Sequence, residues 1–574
     1  MHPEGTAKIC WAVPKQMRHG RRTLIRAPLF AFAMTSASAQ DLMPHQPEVS
    51  EAVEVRIGHA TDVRGWAPDD SHIVIPRLTQ LTVEGSEREM PPIEKNGVQL
   101  RGMSVAALGE LAGELSEWIG KPLTVASLDR LTDVILRHYD DHDRPMNDIW
   151  VPPQTGDGGR LVLEITEGRI GQVALERTTR FNHRVIERGF RLQEGALLTG
   201  TVLQADLDWL SRNPFRQAEL FVAPGEGVTA DVLVRIQETR PWRIYSGYDN
   251  GGSESIGRDR WFAGFNHGNA FGLDHVVGYQ FTMGESLDAL HGHALTWEIP
   301  LHSRQRYLRL SGAWAEVAAV ESLAGLPLNT EGSSWQAGIL CGRLLPRLGS
   351  WRQEIRGGIE FKRADNFVFF GETSFPQTEV DLVQLRAEWQ GGGPLMGGRA
   401  ELRVDLVASP GEVTSRNGRS EFEAFRPGAD PTYAYGRIEG NWLAPLPGDW
   451  SWRLQATGQL ASGALLPTEQ LGLGGHATVR GHAERVLLAD SGYAVTAELR
   501  TPVLTAMEKL PVQGLFFIDH GRGWREGDGS SPLTGVGAGL RLGFGKSGTA
   551  RLDLGRSLQN GGGTEAHAGV MFSF

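Results

Sequence analysis

His567-Ala-Gly-Val-Met-Phe-Ser-Phe574 places Ala568, Val570, Phe572 and Phe574 on one face of an extended strand, and His567, Gly569, Met571 and Ser573 on the other. The split follows because successive strand side chains point to opposite sides. The same alternation recurs upstream. Ala400, Leu402, Val404 and Leu406 interleave with Arg399, Glu401, Arg403 and Asp405, and Val383, Leu385, Ala387 and Trp389 with Gln384, Arg386, Glu388 and Gln390. Ile355, Ile359 and Phe361 interleave with charged neighbours, as do Trp450, Trp452 and Leu454 with Ser451, Arg453 and Gln455. About sixteen such segments fit between Arg240 and Phe574, at roughly 21 residues each, which allows a membrane-crossing strand plus its connection. The pattern predicts a transmembrane β-barrel over 241–574, apolar face to lipid and mixed face to the lumen. A soluble sandwich also alternates, but its turns come every 8–12 residues or so.

Composition agrees. The 574 residues exceed one ordinary domain. Mean hydropathy is −0.26 and no run of 18 apolar residues occurs, which excludes a helical membrane protein but not a barrel. The 73 glycines fit many turns and curved strands, and the 16 tryptophans fit interfacial girdles.

Residues 1–39 read as a signal peptide. Arg18, Arg21, Arg22 and Arg26 supply a basic region, Ala27 to Met34 an apolar one, and Ala37-Ser38-Ala39 a cleavage site, with Met17 an alternative start. The remainder would carry 51 Lys/Arg against 67 Asp/Glu, which argues against a nucleic-acid partner. Of Cys10 and Cys341 only the second would survive export, so neither an internal disulfide nor a Cys-rich metal site is expected.

Residues 40–72 read as a polar, Pro-punctuated linker in which Glu48 to Ile57 could form a short helix or strand. Ile73 to Val83 then reads as a strand, Ser104 to Ile119 and Thr124 to Tyr139 as helices with Thr124 as N-cap, and Ile149 to Pro152 and Leu161 to Thr166 as strands. That order, β-α-α-β-β, recurs. Ile170 to Leu175 is a strand, Asn182 to Gly189 and Thr201 to Ser211 are helices, and Glu219 to Val222 and Thr229 to Thr239 are strands. The recurrence is an internal repeat of topology, with units at 73–169 and 170–240.

Several stretches resemble the two-partner secretion outer-membrane transporters of the TpsB family (haemolysin secretion/activation type). Gly159-Arg-Leu-Val-Leu-Glu-Ile-Thr-Glu-Gly-Arg-Ile170 resembles the end of that family's first POTRA domain, and Asn213-Pro-Phe-Arg216, Asp231 to Pro241 and Gly247-Tyr-Asp-Asn250 its second domain running into the barrel. Leu473-Gly-Gly475 with Val479-Arg-Gly-His482 resembles the superfamily's VRG-[YF] loop, and Glu498-Leu-Arg-Thr-Pro502 and Phe517-Ile-Asp-His-Gly521 the strands after it. The resemblance implies a mainly β fold, a 16-stranded barrel behind two α/β POTRA domains. It also implies export of one partner protein of the large β-helical haemolysin or adhesin type. Periplasmic chaperones and the barrel-assembly machinery would be its assembly partners, and the lipid bilayer its setting. His482 departs from the usual aromatic, and no convincing amphipathic plug helix precedes Ile73.

In that family the loop folds into the lumen. By the strand count Val479, Arg480, Gly481 and His482 lie between strands eleven and twelve. Asp519 lies on strand thirteen with Gln513 and Phe517 facing inward, because Phe516 and Ile518 face lipid. Arg480 and Asp519 are then expected to form a charge-assisted pair, with Gly481 permitting close backbone approach and Gly521 on the same wall. Phe572 and Phe574 are expected to form the assembly signal. No cofactor and no metal is expected. His138-Tyr-Asp-Asp-His-Asp143 has neither Zn nor Ca²⁺ spacing and reads as a solvated helix end, and His291 and His293 as a solvated pair. No catalytic elbow or HExxH motif occurs, so no enzyme is expected. A barrel insertase or translocation module of the same superfamily, and a passive porin with accessory periplasmic domains, are the alternative readings.

Overall fold

The computed structural model describes residues 56–57, 73–85, 95–154, 157–252, 257–323, 326–370, 373–374, 378–506, 510–526, 529–545, 547–559 and 562–574. The stretch expected to be a signal peptide, and all of the expected linker except Arg56–Ile57, lie outside these residues.

Sixteen long strands form one closed antiparallel barrel, from Trp242–Asp249 to Thr564–Ser573. Two further segments, Thr373–Ser374 and Leu504–Ala506, are short additions at the rims. The alternation read from the sequence explains the wall, and burial is inverted relative to a soluble domain. Leu385, Leu406, Ile359, Phe516 and Ile518 are exposed on the outside, whereas Gln384, Glu388, Asp405, Glu498, Asp519 and Asp553 are buried within. Closure satisfies every ladder group across the lipid. The seam joins Tyr245–Asp249 to Gly569–Ser573 through five residue pairs, against eighteen between the fifth and sixth strands. His291 and His293 lie on the outer wall among aromatics: His293 bonds Tyr279 at 2.8 Å and stacks on Trp314, so it is not simply solvated.

The first α/β unit has the sheet order Gly97–Arg101, Gln80–Gly85, Arg160–Glu167, Asn147–Trp150. Gly97–Arg101 adds a strand to the order read from the sequence, parallel to Gln80–Gly85. The first helix runs only over Leu108–Ser116, because Ala107 before it takes a left-handed conformation (φ 55) that breaks the helical run. Val125–Asp141 is capped by Thr124 and Ser127 in a reciprocal box. Leu111, Leu115, Leu131 and Ile135 pack on Leu81, Val83, Leu161 and Leu163. At the end of this helix His138 is buried, not solvated, with Nε2 3.0 Å from the Ala106 carbonyl.

The second unit orders its sheet as Arg56–Ile57, Arg216–Pro224, Thr229–Glu238, Arg169–Leu175, with helices His183–Glu187 and Gly200–Leu210. Arg56 and Ile57, inside the stretch read as linker, pair in parallel with Phe221 and Val222. Burial opposes the Glu238 charge, but donors from Thr179, Arg180 and Phe181 outweigh it and hold the carboxyl below its ordinary range.

This unit docks on three periplasmic turns of the barrel. Arg216 makes a bidentate pair with Asp274 at 2.6 and 2.8 Å, and Asn213 donates to Asp274 and to the Gly268 carbonyl. Arg347 grips Asp208 with two hydrogen bonds, and Arg212 lies 3.4 Å above the Tyr307 ring while pairing with Glu298. Gln305 reaches Asp206, whose carboxyl burial raises against the N–H donors around it. Trp209 donates to His302, and burial pushes that imidazole down to about 4 while Asp274 pulls the other way.

Arg216 and Asp274 are both nearly sealed from solvent, so Asp274→Ala strands a buried guanidinium and weakens docking by about 3–5 kcal/mol. Distances between spin labels on the second unit and a barrel turn should broaden, while the barrel keeps its heat-modifiable gel shift. His302 is depressed below its ordinary 6.5. It therefore costs docking nothing above that pH and weakens it progressively as pH falls towards 4. The same label pair, followed across that window, checks this, and His302→Gln should flatten the response.

Candidate functional site

The site is built by the long connection between strand eleven, Ser451–Ala461, and strand twelve, Ser491–Arg500. The connection turns into the lumen through a small hairpin, Leu471–Leu473 with Leu487–Ala489. Thr478 Oγ ties the hairpin's mouth by bonding the Gly474 amide and carbonyl. Its tip, Val479 to Gly481, is buried.

At the tip Arg480 is withdrawn from solvent. Its Nε and Nη2 donate to Asp519 at 2.8 and 2.9 Å, and its backbone amide to the same carboxylate at 3.0 Å. Nη1 donates to Glu498 at 2.9 Å and lies 3.5 Å from Asp553. The guanidinium carbon stands 3.5 Å from the centroid of the Phe517 ring, which forms a floor beneath it. Asp519, Glu498 and Asp553 are fully buried. Arg541 makes a bidentate pair with Asp553, Arg500 donates both Nε and Nη2 to one oxygen of Glu498, and Arg453 lies 3.6 Å from Glu498. Three carboxylates on strands twelve, thirteen and fifteen are thus shared among four guanidiniums, which makes so dry a cluster tolerable.

Glycines set how close tip and wall approach. Gly481 has φ +87, and a Cβ there would stand 2.7 Å from the Arg556 carbonyl carbon. On the facing wall, a Cβ at Gly535 would strike the Arg480 carbonyl oxygen, and one at Gly521 would stand 2.9 Å from Val479 Cγ2. His482 places Nε2 3.1 Å from the Thr534 carbonyl, so the residue in the aromatic's place makes a polar contact with strand fourteen. Phe572 and Phe574 lie on the outer wall apart from this cluster, and Phe574 exchanges backbone hydrogen bonds with Ile244 at the seam.

The expected group therefore divides. Val479, Arg480, Gly481, His482, Phe517, Asp519 and Gly521 come together, and the two terminal phenylalanines stand elsewhere. Glu498, Asp553, Arg541, Arg453 and Arg500 were not singled out. Strand alternation marks each of them as inward, through lipid-facing Leu499, Leu540, Leu552 and Leu454.

Residues 229–542 match the family model described as haemolysin secretion/activation protein ShlB/FhaC/HecB. The chain belongs to this family. It is an outer-membrane transporter that secretes a partner exoprotein. Among curated relatives, the heme/hemopexin transporter protein HuxB of Haemophilus influenzae is 22% identical over 478 residues, 79% of this chain and 81% of that one. The hemolysin transporter protein ShlB of Serratia marcescens is 26% identical over 306 residues, 51% and 52% of the two chains. The solved CdiB from Escherichia coli superposes with TM-score 0.73 at 16% identity, covering 91% of this chain and 94% of that chain. CdiB from Acinetobacter baumannii gives 0.66 at 17%, covering 93% and 95%. The transporter thus has the family's barrel behind two POTRA-type units, which lie in the periplasm.

Asp519→Ala removes the acceptors for three Arg480 donors. In the transporter carrying it, a Val479→Cys thiol (in a Cys341→Ser background) should react with an aqueous maleimide at least about tenfold faster, the kinetic equivalent of about 1.4 kcal/mol. The heat-modifiable gel shift should persist.

Proposed function

We propose that the Arg480–Asp519 pair holds the lumenal loop across the transport path, and that secretion requires this contact to be released and remade. The supporting observation is that one guanidinium gathers its ligands from three different strands, so a single side chain fixes the loop to an arc of wall. On this reading the partner is a large β-helical haemolysin or adhesin, threaded as an extended chain. No nucleotide hydrolysis is available at this membrane, so folding of the client outside would bias its motion.

The units at 73–169 and 170–240, after the linker at 40–72, are read as the capture apparatus, and 241–574 as the conduit. An extended client segment can add to an exposed sheet edge through backbone hydrogen bonds with little demand on sequence. At Phe221–Val222 that edge already carries Arg56 and Ile57, so a client strand there must displace this short pairing. Phe572 and Phe574, exposed on the outer wall beside the seam, fit an assembly signal read by the barrel-assembly machinery after escort by chaperones. A passive porin fits less well, because the loop tip lies buried against the inner wall.

Arg480→Ala should lower secretion of the cognate partner by at least about tenfold, with barrel insertion and surface abundance unchanged. Secretion is measured as partner in the medium per transporter in the membrane. Undiminished export by that variant would remove the role assigned to the pair.

A further inference from the structure

Eleven residues before Arg480, on the stem of the same loop, a second carboxylate is sealed from water. Glu469 is 1% exposed and meets none of the groups that hold the tip. Lys362 Nζ on strand seven (Trp351–Phe370) lies 2.9 and 3.2 Å from its two oxygens. Gln384 on strand eight (Thr378–Leu395) donates at 2.8 Å, and Tyr435 on strand ten (Thr432–Pro445) at 2.8 Å. Gln459 of strand eleven bonds the Glu469 backbone carbonyl at 3.0 Å.

Around this carboxylate the extracellular mouth is filled with apolar groups. Leu465 and Leu466 of the loop pack against Val380, Leu382, Phe422 and Tyr433. An ionised carboxylate in such surroundings is tolerated only with a cation and full hydrogen bonding. Lys362 is the cation that bonds it directly.

Topology gives this second contact its meaning. The two holds fall on different arcs of the sixteen-stranded ring. Glu469 is held on strands seven, eight and ten, while Arg480 is held on twelve and thirteen with Asp553 of fifteen beside it. We propose that Glu469 is a positioning residue, the second of two anchors that pin the loop, at its stem and at its tip, to separate arcs of the lumenal wall. Loss of the tip contact alone leaves the stem fixed and the mouth closed, and a client must break both. This rests on the reading of the loop as the barrier to transport, but its test is read on the loop and needs no secretion.

The test uses the full-length transporter in a Cys341→Ser background, with a Leu466→Cys thiol reporting on the stem and a Val479→Cys thiol, fully buried at the tip, reporting there. Lys362→Met should raise maleimide labelling of the stem thiol at least about tenfold and that of the tip less than about twofold, with Asp519→Ala doing the reverse. In planar bilayers each single variant should keep a small, flickering conductance, and the combination should give a larger, steady one. Lys362→Arg, which keeps a cation between Glu469 and Glu360, should retain protection of the stem, which a variant with a merely damaged barrel would not do. Release of both thiols by Lys362→Met, release of neither, or release of the stem by Lys362→Arg would overturn the inference. Normal anchoring in a loop whose tip variants still secrete would instead count against the role assigned to Arg480.

Discussion

A guanidinium carried into a protein interior has to be met by acceptors on every side, because an unpaired buried charge costs more than most single contacts return. Arg480 is such a group, and the arrangement of the transporter's lumen follows from its demand. Strands twelve, thirteen and fifteen must stand in the register that brings Glu498, Asp519 and Asp553 to one height. Gly521 and Gly535 must leave space for the backbone behind it, and Phe517 must turn its ring beneath the cation. Arg541, Arg500 and Arg453 then balance the carboxylates. The loop's tip is held by this charge pairing, with the buried Val479 seated against Gly521 beside it.

The same logic recurs at the periplasmic rim with a different purpose. Arg216 on Asp274, Arg347 on Asp208 and Arg212 on Glu298 and Tyr307 fix the second α/β unit to three separate turns. Planar guanidinium forks suit this work, because each bidentate contact constrains direction as well as distance. The periplasmic unit nearest the membrane is therefore held in one orientation over the barrel.

How much of this was legible in the sequence depends on the range of each signal. A period of two is local, so the barrel, its inward faces and the placing of Asp519 could be read from neighbouring residues. Glu498 and Asp553 obey the same alternation. Alternation tells which side of the wall a residue faces, however, and not its height, which depends on register across several strands. Glu469 lies in a stretch with no periodicity, so nothing marks its side at all. Gly97–Arg101 is short and half-buried throughout, and its strand character comes from pairing with Gln80–Gly85. Arg216 and Asp274 are far apart in sequence with no motif joining them, and only the docked fold makes them partners. The first helix starts at Leu108 and not at Ser104 because Ala107 stands in the left-handed region, a conformation that an alanine in an apolar helical stripe does not announce.

The barrel's strands are also of unequal height. Strands five, six and seven run for 18, 23 and 20 residues, whereas twelve, fifteen and sixteen have 10 each. About 9–11 residues suffice to cross the hydrocarbon, so on one flank the sheet rises well clear of the cell surface while on the other it ends near it. The exit is shaped like a sloping chimney. A polypeptide leaving it meets a wall of sheet along one side and open water along the other.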